Sequence, residues 1–97
     1  MNNFDSIIEG DIPVVVDFFA EWCGPCKMMP PVLKQVKEKA GSGVMVLKMD
    51  VDKNPYYSQK YSIQSIPTLM IFQRGKMVWR KSGVTTAGDI LQHLPKE

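Results

Sequence analysis

Both cysteines of the chain lie in the stretch EWCGPCKMMPP, at Cys23 and Cys26, with only Gly24 and Pro25 between them. Thiols at that spacing admit four kinds of chemistry. Zinc coordination needs about four ligands, and the one other His or Cys is His93, roughly 70 residues further on. A structural disulfide works through the loop it closes, and a two-residue loop removes little unfolded-chain entropy. Two inert core thiols would need no particular spacing. A dithiol that opens and closes in use does need it, because residues three apart on a helical turn lie about 5 to 6 Å from each other, within the Cα range a disulfide accepts. That last reading leads.

A helix should position and activate the pair. The apolar positions Met29, Val32, Leu33, Val36 and Ala40 step by three and four until Gly41-Ser42-Gly43 ends the pattern. This predicts an amphipathic helix running from Cys23, with the cysteines on its first turn. There Cys23 faces unpaired N–H groups and the positive end of the helix dipole, which favour thiolate and lower the pKa to about 7 in such motifs. Cys23 is therefore the expected nucleophile, and Cys26, one turn further in, the resolving thiol. Pro25 is tolerable in the first turn, whereas Pro31 would remove a backbone bond to Lys27 and kink the helix, with Pro30 adding to the effect.

The remaining elements form a frame around that helix. Phe4, Ile7 and Ile8 predict a short opening helix capped at Gly10. The run Val14-Val15-Val16-Asp17-Phe18-Phe19 reads as a central strand buried on both faces, and Val44 to Met49 as a second buried strand. Asn54 can cap a short helix with Pro55 at its first position and Tyr57 and Tyr61 one turn apart. Thr68 to Phe72 and Met77 to Lys81 flank Gln73-Arg74-Gly75-Lys76, an antiparallel hairpin with glycine at the positive-φ position. Thr86 and Asp89 have capping-box spacing ahead of Ala87, Ile90, Leu91 and Leu94, a closing helix. The order gives one α/β domain over residues 1–97, with a sheet of mixed direction and helices on both faces.

Composition narrows the function. Hydrophobic residues at 44% and charged residues at 23% suit a globular domain of 97 residues, long enough to form a core without staples. A net charge of +2, from 12 basic and 10 acidic groups, offers no electrostatic footprint for nucleic acid. No apolar run approaches the ~18 residues of a membrane helix. The first 26 residues carry Asp5, Glu9, Asp11, Asp17 and Glu21 but no Lys or Arg, so no basic targeting start is visible and the cytoplasm is the expected compartment. The seven methionines read as core filler and His93 as a solvated side chain, so no metal site is expected.

VDFFAEWCGPCK, together with SIPTLMIF further on, resembles the thioredoxin family over almost the whole chain. The resemblance implies the thioredoxin fold, with a central mixed sheet of four or five strands. It implies a monomeric protein-disulfide reductase that acts on disulfide-containing client proteins, is re-reduced by a thioredoxin reductase, and uses no cofactor beyond its own Cys23–Cys26 disulfide. Asp17, the only charge in its strand, would on general grounds reach solvent or a backbone partner; the family places its buried aspartate there, behind the resolving thiol, as acceptor of the Cys26 proton. Lys48, otherwise a solvated lysine, matches the lysine paired with that aspartate. Ile66-Pro67 would be trans by frequency alone, but Pro67 matches the cis-proline beside the dithiol, which turns the Ile66 backbone towards an extended substrate. Trp22, Gly24, Pro25, Val51, Ile66, Gly83 and Val84 match the surrounding substrate-binding patch.

Two departures stand out. Phe19 occupies a position where the family usually has tryptophan, and only 12 residues precede Pro13, so the first edge strand should be truncated or absent. Within the same chemistry the rival is an oxidase or isomerase; Gly-Pro between the cysteines resembles the reducing members. Outside it, the rival is a binding module whose dithiol only regulates docking around Trp22.

Overall fold

Successive valines and phenylalanines favour the pleated, fully covered backbone that Val14–Phe19 adopts as β1 in the computed structural model, which describes residues 3–96. Before it, α1 spans Asn3–Ile8. After it come a 3-10 turn at Pro25–Met28, α2 at Met29–Ala40, a second 3-10 turn at Gly41–Gly43 and β2 at Met45–Asp50. Then follow α3 at Pro55–Lys60, β3 at Thr68–Gln73, β4 at Lys76–Ser82 and α4 at Ala87–His93. The sheet order is β2-β1-β3-β4; β1 and β2 are parallel, and the other pairings are antiparallel. This is a four-stranded thioredoxin fold. Among the described residues no strand precedes β1.

The cysteines do not lie on the first turn of an α-helix. Pro30 and Pro31 have no N–H to give the carbonyls of Cys26 and Lys27, so the α-helical ladder cannot extend back through them. The chain tightens instead: Met29 N–H bonds the Cys26 carbonyl and Lys27 N–H the Gly24 carbonyl, both three residues back. The prolines thus fall in the first turn of α2, where they terminate the helix rather than kink it.

β2 also departs from expectation. It begins at Met45 and lies at the edge of the sheet, with Met45 and Lys48 exposed and only Met49 and Asp50 buried. A run of apolar residues signals a strand but cannot say whether a further strand will cover its outer side. Asn54 precedes α3, yet its side chain makes no cap; its Nδ2 donates to the Asp50 carbonyl at 2.9 Å. The hairpin does form as read, with Arg74 and Gly75 both at positive φ (53° and 80°), the conformation that matches strand twist. Thr86 Oγ1 accepts from Asp89 N–H at 3.1 Å and starts α4.

Alternation along β1 divides the core. Val14, Val16 and Phe18 meet Phe4 and Ile8 of α1, Tyr57 of α3, and Met49, Met70 and Phe72 of the sheet. Val15 faces the other way, among Met29, Leu33 and Val36 of α2, Ala87 and Ile90 of α4, and Leu69 and Ile71. Asp17 and Phe19 follow the parity of Val15, so they emerge on the α2 side.

Candidate active site

The dithiol sits where β1 runs out. Ala20, just past the strand, packs with Cys23 and Cys26 in a small buried cluster, and Phe19, Val51 and Ile66 close around it. Cys23 and Cys26 form a disulfide with Cα atoms 5.3 Å apart. Each is 4% exposed, so access alone does not separate their roles. Their surroundings do. The Cys26 N–H points at Cys23 Sγ at 3.2 Å, a donor that would stabilise charge on that sulfur once the bond opens. The 3-10 turn therefore supplies locally what was expected of the first turn of an α-helix.

Pro67 is joined to Ile66 by a cis peptide bond, and the Ile66 carbonyl oxygen lies 3.8 Å from Cys23 Sγ. Gly83, at φ 94°, donates its N–H to the Pro67 carbonyl at 2.7 Å, which ties the end of β4 to the same loop. Val84, 40% exposed, follows it and opens onto a shallow cleft of about 540 Å³ bounded by Lys81, Thr85 and Asp89. Gly24 and Pro25 are exposed beside the disulfide, and Val51 and Ile66 are half-buried. The structure thus gathers Val51 and Ile66 against the cysteines, whereas Val84 is not in that cluster and follows Gly83, which is bonded to Pro67.

Trp22 is 72% exposed. It is nevertheless held: its Nε1 donates to Asp52 Oδ2 at 2.8 Å. Asp52 in turn sits in a turn organised by Asp50, whose Oδ1 accepts from the N–H groups of Asp52 and Lys53 at 2.9 and 3.4 Å. Sequence reasoning passed over both aspartates. The signal was present, since aspartates spaced around Val51 just before Asn54-Pro55 favour side-chain-stabilised turns, but nothing local tied them to Trp22.

Asp17 is fully buried, and neither carboxylate oxygen has a protein hydrogen-bond partner. Burial pushes its carboxyl up to about 6, against the downward pull of Lys48. Lys48 is its register partner on β2, but the ammonium makes no ion pair with it. Lys48 Nζ stands instead over the Phe19 ring, 4.8 Å from its centroid. His93, read as solvated, stacks on Trp79 at 4.9 Å and bonds the Asp89 carbonyl through Nδ1 at 2.8 Å, away from the cysteines. No group of three or more metal-ligating side chains occurs among the described residues, and no helix there is long and apolar enough to cross a membrane.

Comparison with known proteins agrees with this geometry. A family model described as Thioredoxin matches residues 1–96. A thioredoxin of Rickettsia felis is 42% identical over 90 residues, spanning 93% of this chain and 86% of that protein. A thioredoxin-like protein of Synechocystis is 45% identical over 93 residues, spanning 95% and 89%. Among solved structures, a mutant thioredoxin from Halobacterium salinarum superposes with a TM-score of 0.86 at 30% identity, covering 97% of this chain and 81% of that one. With its dithiol at the end of β1, its fold and its relatives in agreement, the chain belongs to the thioredoxin family.

Proposed function

We propose that this thiol-disulfide oxidoreductase reduces protein disulfides with Cys23 as nucleophile and Cys26 as resolving thiol. The observation that carries the assignment is the Cys26 N–H aimed at Cys23 Sγ, a charge-stabilising donor for the first sulfur. In the reduced enzyme the Cys23 thiolate attacks one sulfur of the client disulfide. A mixed disulfide forms, and the other client sulfur leaves as a thiolate that takes up a proton. Cys26 loses its proton, attacks Cys23 Sγ and expels the second client sulfur; the Cys23–Cys26 bond closes, and the client has gained two electrons and two protons.

Asp17 is the proposed acceptor of the Cys26 proton. A buried carboxylate raised to about 6 is a better base than one in water and is still mostly ionised at neutral pH. Lys48 tunes it by charge. Clients would dock on Trp22, Gly24, Pro25, Val51, Gly83 and Val84 around the sulfur, with an extended segment along Ile66 and Pro67; the Ile66 carbonyl beside Cys23 supports that placement.

A thioredoxin reductase is the proposed electron donor, and a single monomeric domain in the cytoplasm the proposed setting. An insulin-reduction turbidity assay with a regenerating reductase tests the reading. Wild-type protein should turn over, Cys23→Ser should not, and Cys26→Ser should trap the mixed disulfide. Turnover by Cys23→Ser would assign the activity elsewhere, and a silent wild type that still docks clients would favour the binding-module reading.

A further inference from the structure

Phe19 stands at an intersection that the reaction as described leaves unused. Its ring packs on the cysteine cluster from one side and carries the Lys48 ammonium 4.8 Å from its centroid, within cation–π range. It lies two residues after Asp17 on the same face of β1, and Lys48 is the register partner of Asp17 on β2, so all three side chains leave the sheet on one side. A lysine in register with a carboxylate on the same face of a sheet is placed to pair with it. Here both Asp17 oxygens lack a protein partner, and the cation rests on the ring.

We propose that Phe19 is a positioning residue, which acts through Lys48 by holding its ammonium on the ring and off the Asp17 carboxylate. The inference rests on Asp17 as the base of the proposed reaction. A lysine paired with Asp17 would make it a weak base, and a lysine absent altogether would let burial raise its carboxyl further. Division of the cation between ring and carboxylate sets the proton affinity between those limits. The other surroundings contribute no competing charge: β3 places Leu69 opposite Asp17, α2 turns Met29, Leu33 and Val36 to this side, and the cysteines do not titrate while their bond is closed.

The test is a titration of the Asp17 carboxyl by its 13C shift in the oxidised protein, where no turnover intervenes. In Phe19→Leu the freed ammonium pairs with Asp17 and the midpoint falls by about half a pH unit, the scale of one cation–π contact. Phe19→Tyr, which keeps a ring, titrates as wild type. In the Lys48→Met background, Phe19→Leu moves nothing. The same fall in that background would mean that the shorter side chain merely admits water, and would overturn the proposal. So would an unchanged midpoint in Phe19→Leu, or a fall in Phe19→Tyr. Independently of any variant, the ε-protons of Lys48 in the wild type should show ring-current upfield shifts, and their absence would also overturn it. Failure of the catalytic reading shows separately, as insulin reduction that survives Cys23→Ser.

Discussion

The two faces of β1 carry different burdens. On the α1 and α3 face, Val14, Val16 and Phe18 are sealed under aromatic rings, with Phe4 4.7 Å from Tyr57 and 5.9 Å from Phe72, and every β1 residue there is apolar. On the α2 face the same alternation gives Val15, then a buried carboxylate, then a ring that carries a cation. The first face can be read as packing. The second gives up packing at Asp17 and Phe19, the last two positions before the dithiol. Packing and polar groups are thus separated by the two-residue period of a single strand, and the buried carboxylate shares its face with the ring that packs on the cysteines.

Changes that split the two faces test this division. Cys23→Ser should abolish disulfide reduction, with urea unfolding of the reduced protein nearly unchanged; a large loss of stability would mean that the dithiol end is also structural. Phe18→Ala should act in the opposite sense. It opens the aromatic face and costs about 3–5 kcal/mol in urea unfolding, yet the folded fraction should reduce insulin at the normal rate. A specific loss of activity there would break the separation.

Asp17→Asn lies between these. Its carboxyl holds a proton more tightly in the folded chain than in the unfolded one, so its contribution to stability is full below about pH 4 and is lost as the pH rises towards about 6. The unfolding free energy of Asp17→Asn minus that of the wild type, both oxidised, should therefore grow by about 3 kcal/mol from pH 3 to pH 7. A flat difference would show a solvated carboxylate. The reduced variant should also form the mixed disulfide normally and resolve it slowly in stopped flow. Smallest is Asp52→Asn at the exposed rim: stability within about 0.5 kcal/mol of wild type, an altered Trp22 emission, and a KM for protein disulfides raised by at most about fivefold, the equivalent of one hydrogen bond.

Much of this was legible in the chain. Hydrophobic period located the helices and strands to within a few residues, the start of α2 excepted, because a strand or an amphipathic turn is decided by neighbours one to four positions away. The Arg74-Gly75 turn and the Thr86 cap were readable for the same reason. The site was legible mainly through the Trp-Cys-Gly-Pro-Cys-Lys stretch; Lys48, Val51, Gly83 and Val84 carried no local signal and came from family resemblance. What failed is instructive. Pro30 and Pro31 signal a bend in a helix, yet in the fold they prevent it from starting earlier, since the missing donors fall on the carbonyls of Cys26 and Lys27.

By itself the sequence determined the local geometry: two thiols within bonding reach, a donor amide three residues after Cys23, and an acidic residue on the α2 parity of β1. Only the tertiary structure decided that β2 would be an edge strand, that Asp17 would be buried without a partner, that Lys48 would choose the ring over the carboxylate, and that Asp52 would reach Trp22 across 30 positions of chain. Burial and charge proximity are sums over residues distant in sequence, and they take a value only when the sheet has brought those residues together.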